Sequence, residues 1–81
     1  MSVDNIKTMV HDLAAMLVDE PKEISITEEE RNNAVIVVIS VAKDDVGKII
    51  GKNGQTAKAL RALVNAASTR MGEKVLLEIR E

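Results

Sequence analysis

Residues 34–41 read AVIVVISV, a run of apolar and mostly β-branched side chains with no polar residue before Ser40. A strand apolar at both odd and even positions has no face to give to water, so it belongs in the middle of a sheet with both faces covered. Val35, Val37, Ile39 and Val41 share one of those faces. The rest of the chain must supply the neighbours and the cover. With 81 residues there is room for one core, so the expectation is a single domain over 1–81, and a two-domain enzyme is excluded. The cover must be aliphatic, because 46% of residues are hydrophobic while Phe, Tyr and Trp are all absent.

Around that strand the periodicities assign the other elements. Over residues 3–18, Val3, Ile6, Met9, Val10, Leu13, Met16 and Leu17 recur at helical spacing, and Ser2 stands where an N-cap belongs. Pro21 discourages any continuation. Residues 22–28 alternate Ile24 and Ile26 with polar neighbours, as an edge strand does, and Glu30 to Asn33 read as the turn into 34–41. Asp44 or Asp45 can cap a short helix over 45–50, which Gly51 ends. A longer helix over about 55–71 buries Ala57, Leu60, Leu63, Val64, Ala67 and Met71, and VLLEI at 75–79 forms the last strand. The order α-β-β-α-α-β describes an α+β two-layer sandwich, a three-stranded mixed sheet covered by three helices. Strands joined by the short turn should be antiparallel, and those joined by the helical crossover parallel.

Net charge is −2, yet it is unevenly spread. Residues 1–42 carry three basic and eight acidic residues, a net of −5, whereas residues 46–72 hold Lys48, Lys52, Lys58, Arg61 and Arg70 with no acid. An acidic chain can therefore own one positive patch, the quantity that matters to a polyanion. Polybasic and aromatic-stacking modes of nucleic-acid binding are excluded by composition. No cysteine is present, which removes disulfides, thiolate metal sites and cysteine nucleophiles. No apolar leader follows Met1 and no stretch approaches the ~20 apolar residues of a membrane span, so the expectation is a soluble, cytoplasmic protein.

Between the short and long helices lies Gly51-Lys52-Asn53-Gly54, within VGKIIGKNGQT. Two glycines three apart let the backbone turn sharply and approach a ligand, and the turn leads into a helix N-terminus, which favours an anion. Lys52 in the loop, with Lys48 one turn before and Lys58 one turn after, makes phosphate the natural anion. A GxxG alone is a weak signal, since a plain helix-turn-helix corner uses glycine in the same way.

The wider pattern VGKIIGKNGQTAKALRALV, preceded by a β-branched strand and closed by VLLEI, resembles the KH domain, with its IIGxxG loop between two helices. The element order is similar to the bacterial type II arrangement, and the whole chain resembles the small bacterial RNA-binding protein family KhpA. The resemblance implies that Gly51, Lys52, Asn53 and Gly54 hold about four nucleotides of single-stranded RNA by the sugar-phosphate. Lys48, Gln55 and Lys58 would stand beside them. Bases would lie in an aliphatic groove to which Ile49 and Ile50 contribute with side chains of the neighbouring sheet. Weak affinity and loose sequence preference follow, suited to an RNA chaperone or post-transcriptional regulator. The resemblance further implies a homodimer, or a heterodimer with a larger KhpB/Jag-type KH protein, and a link to cell-wall homeostasis and cell shape.

Competing chemistries fail on spacing. Around Gly47 to Asn53 a Walker A loop would need four residues between its glycines and a hydroxyl after the lysine. His11 has no metal-binding companion, Glu28 to Glu30 read as a solvated turn, and Asp44-Asp45 as a helix cap. No enzyme and no cofactor are called for. The alternative reading is a protein-protein dimerisation domain using the same helix-turn-helix surface, with Ala59, Ala62 and Ala66 permitting close helix approach.

Overall fold

The computed structural model describes residues 2–81. Helix α1 (Val3–Ala15) starts at a capping box in which the Ser2 hydroxyl accepts from the Asn5 amide and the Asn5 side chain accepts from Ser2 N–H at 2.8 Å. Strands β1 (Ser25–Arg31) and β2 (Ala34–Ser40) form an antiparallel hairpin. Helix α2 (Val46–Ile50), helix α3 (Gln55–Met71) and strand β3 (Val75–Arg80) follow, with β3 parallel to β2. The order β1-β2-β3 makes the apolar run the central strand, and the α+β sandwich expected from the sequence is the one observed.

The two faces of β2 are buried differently. Val37, Ile39 and Val41 join Ile6, Val10, Ile49, Leu60 and Val64 in one core beneath the helices, with Val35 packed at its margin. Ala34, Ile36 and Val38 form a separate cluster on the opposite, helix-free face. Four charged residues cover that face: Arg31 pairs with Glu78 at 2.6 Å and Glu29 at 3.3 Å, and Arg80 pairs with Glu78 at 2.8 Å. Arg31 on β1 thus reaches over β2 to a partner on β3. Its aliphatic stem can shield the strip between them, so no third layer is needed.

Several boundaries differ from the sequence expectation. Helix α1 stops at Ala15 rather than 18, leaving Met16 77% and Leu17 40% exposed instead of in the apolar stripe. The physical cause is downstream: Pro21 opens a short 3-10 turn, and the Asp19 and Glu20 amides are held by Asp45, which draws the chain off the helix axis. The first strand runs 25–31, not 22–28, so Glu28, Glu29 and Glu30 are strand residues, and Lys7 of α1 meets Glu28 at 2.8 Å. Only Asn32 and Asn33 make the turn, both at positive φ, as a two-residue hairpin requires. Leu63 is 47% exposed and Ser68 takes a buried place on α3 instead. Its hydroxyl accepts from Val75 N–H at 3.0 Å and donates to the Glu73 carbonyl, which closes the turn into β3.

Candidate nucleic-acid interface

Helix α2 lasts five residues because Gly51 leaves it at φ 77°, ψ 172°, a region open in practice to glycine alone. A Cβ on Gly51 would lie 2.2 Å from Thr56 Oγ1 and 2.7 Å from Thr56 Cβ. The corner is therefore folded back against the first turn of α3. Asn53 (φ 57°) and Gly54 (φ 73°) then continue in the left-handed region. Gly54 N–H donates to the Gly51 carbonyl at 3.1 Å and Gln55 N–H to that of Lys52. Among the described residues the Lys52 and Asn53 amides have no backbone acceptor, and no side chain caps the N-terminus of α3. The loop thus presents free N–H groups at the positive end of a 17-residue helix.

The candidate residues divide by environment. Lys52, Asn53, Gln55 and Lys58 are exposed, and Gly51, Gly54 and Ile50 half-buried. Lys52, Lys58 and Arg61 have no ion-pair partner among the described residues, so their charges are available. Ile49 is 0% exposed, which removes it from any groove lining and makes it the core anchor beneath α2. The i, i+3, i+4 pattern explains the split, since a five-residue helix has one inward position per turn.

Lys48 is not free either. Its ammonium lies 3.2 Å from Asp19 and 3.4 Å from Asp45, and these partners raise its pKa, Asp19 more than Asp45. Asp45 occupies the N-cap position of α2 but makes no capping hydrogen bond. It is 1% exposed, and its two oxygens accept from Asp19 N–H at 3.1 Å and Glu20 N–H at 3.0 Å. The Asp19 amide, followed by the Glu20 amide and Lys48, holds this carboxyl below the usual carboxylate range against the opposing effect of burial. The latch ties the α1–β1 connection to the start of α2. A depressed pKa means that the stabilisation is present at neutral pH and is lost as pH falls through the folded-state value. Melting temperatures measured between about pH 5 and pH 2 should fall more steeply for the wild type than for Asp45→Asn, which starts lower at neutral pH.

Sequence reasoning left unnamed a groove of about 320 Å³ between α3 and β3, lined by Arg61, Val64, Asn65, Val75, Leu76 and Leu77. Its floor is aliphatic, Leu76 is 46% exposed, and Arg61 stands two turns from Gly54, about 10 Å along the helix. The signal was present as the i, i+3, i+7 stripe Lys58, Arg61, Asn65. Among the described residues no group of His, Cys, Asp or Glu could hold a metal ion, and no helix is long and apolar enough to cross a membrane.

A family model described as "KhpA/KhpB, KH domain" matches residues 7–79. The "RNA-binding protein KhpA" of Halalkalibacterium halodurans is 43% identical over 74 residues, covering 91% of this chain and 97% of the relative. That of Chlamydia trachomatis is 48% identical over 65 residues, covering 80% and 83%. That of Listeria monocytogenes is 38% identical over 76 residues, covering 94% and 100%. Among solved structures, Aquifex aeolicus Era bound to GDP·AlF4− superposes with a TM-score of 0.61 at 25% identity. A structure of Era with MgGDPNP and nucleotides 1506–1542 of 16S ribosomal RNA gives a TM-score of 0.60, also at 25% identity. Both matches cover 93% of this chain but 29% of the Era chain, so the likeness is to one portion of Era. With both loop glycines and most of the core inside the matched span, this chain belongs to the KhpA/KhpB KH domain family.

Proposed function

We propose that this chain binds single-stranded RNA, gripping the sugar-phosphate of about four nucleotides at Gly51 to Gly54. The observation that carries the reading is the loop itself: two free amides, an uncapped helix start and unpaired lysines on a segment, residues 46–72, that contains no acidic residue. Lys52, Gln55 and Lys58 would contact phosphate, and Ile50 with the α3–β3 groove would receive bases. The names of the KhpA relatives support the same ligand. Family membership further supports a role as RNA chaperone or post-transcriptional regulator, with a KhpB/Jag-type partner, in cell-wall homeostasis and cell shape.

RNA titrations at increasing salt test the loop residue by residue. Each phosphate contact on a single strand contributes about −0.7 to the slope of log K against log salt. Lys52→Ala should make the slope shallower by about that amount. Lys48→Ala should leave it unchanged, because Lys48 is committed to Asp19 and Asp45; equal changes in both variants would return Lys48 to the phosphate contacts.

A second reading rests on the opposite flank of the exposed face of α3, where Ala59, Ala62, Leu63 and Ala66 make an apolar stripe. That stripe suits helix-on-helix dimerisation and leaves the Lys58–Asn65 flank open. A stable dimer by sedimentation, with no RNA recovered by cross-linking in cell extract, would favour dimerisation as the sole function.

A further inference from the structure

Among the described residues, Lys48 is the one cation of residues 46–72 that pairs with an acid. It stands three residues before Gly51, about 4.5 Å along the helix axis from the corner. The two carboxylates that hold it differ in kind. Asp45 is buried, and its oxygens already serve the Asp19 and Glu20 amides. The Asp19 side chain is 75% exposed and has Lys48, at 3.2 Å, as its partner. The latch itself takes only the Asp19 N–H, which any residue but proline would supply. The Asp19 carboxylate therefore has no part in closing it, yet it is the acid that the first half of the chain brings to the basic segment.

Building on the RNA-binding reading above, we propose that Asp19 is a positioning residue that sets RNA affinity, an internal competitor holding on Lys48 the place a phosphate would take. An ammonium has three N–H donors, so Lys48 can keep Asp45 and still offer a donor toward solvent. Asp19 takes that donor. A phosphate approaching Lys48 in the wild type must displace Asp19 and then lie beside its negative charge, which offsets the gain. Without the Asp19 charge, Lys48 joins Lys52 and Lys58 around the corner as a third free cation. An exposed ion pair adds little to stability, so the effect falls on the ligand and not on the fold.

Titrations of a labelled single-stranded RNA of mixed sequence at increasing salt test the role, with a thermal melt of each variant. Asp19→Asn keeps the backbone and removes the charge, and it should melt near the wild-type temperature. It should tighten binding at low salt by about fivefold to tenfold and steepen the slope of log K against log salt by about 0.7, one added phosphate contact. Combining Asp19→Asn with Lys48→Ala should return both quantities to wild-type values. Glu20→Gln removes an exposed carboxylate of the same connection that no cation holds, so it reads the bare loss of charge and should leave the slope unchanged. An unchanged slope in Asp19→Asn, a steeper slope kept in the double variant, or an equal steepening in Glu20→Gln would overturn the Asp19 role and leave the loop reading standing. No binding of the RNA by the wild type would overturn both.

Discussion

Gly51→Ala should be the most damaging single-methyl substitution in the loop. The native backbone at φ 77°, ψ 172° costs an alanine about 1–3 kcal/mol, and the methyl would sit 2.2 Å from Thr56 Oγ1 and 3.0 Å from the Thr56 nitrogen. Thr56 is held by the first turn of α3 and cannot retreat without unwinding it, which adds an overpacking cost of about 1–3 kcal/mol. A total of about 2–6 kcal/mol is a large share of the ~5–15 kcal/mol that holds a domain together. At roughly 4–8 °C per kcal/mol for a chain of this size, the middle of that range, about 4 kcal/mol, lowers the melting temperature by about 15–30 °C. The neighbouring glycines supply the controls. Gly54 is also left-handed, but nothing lies within 4 Å of its added Cβ, so Gly54→Ala should cost only about 1–2 kcal/mol. Gly47 sits inside α2 with open space and ordinary dihedrals, so Gly47→Ala should stabilise by about 0.5–1 kcal/mol. Thermal melts that fail to rank the three in that order would contradict the loop geometry.

The largest expected effect on binding comes from Lys52→Asp with Asn53→Asp. Both side chains are exposed and neither supports the core, so the substitution acts on the ligand and not on the fold. Aspartate tolerates the left-handed dihedrals at position 53 nearly as well as asparagine. Two carboxylates would face the site where the free amides and the α3 N-terminus invite an anion, and one cation would be gone. Charge-assisted contacts contribute about 1.5–3 kcal/mol each. Losing one and adding repulsion at the same point should weaken RNA binding by about a hundredfold or more.

How much of this was legible in the sequence depends on whether the deciding interaction was local. The AVIVVISV run announced the central strand, and Ser2 and Gly51 announced helix ends, because each acts through its own neighbours in the chain. The strand directions followed from connection lengths. What stayed hidden depended on contacts between distant segments. The Asp45 carboxylate meets amides 25 and 26 residues earlier, and that one interaction shortens α1, exposes Met16 and, together with the Asp19 carboxylate, engages Lys48 in ion pairs. The i, i+3, i+4 spacing placed Leu63 inside, but α3 rotates so that Ser68 fills the buried place, where its hydroxyl serves the turn into β3. Ile49 and Ile50 are adjacent and alike in sequence, and only the packing of a five-residue helix separates core anchor from groove candidate. The α3–β3 groove needs β3 beside α3, which no local pattern encodes.

The central claim is that the Gly51–Gly54 corner is the RNA clamp, and its most direct test is one comparison. Binding of a labelled single-stranded RNA is measured at fixed salt for the wild type and for the Lys52→Asp, Asn53→Asp double variant, with circular dichroism and thermal melting confirming that both are folded. The account predicts saturable wild-type binding that is lost in a variant melting near the wild-type temperature. Unchanged affinity in the folded variant would contradict it.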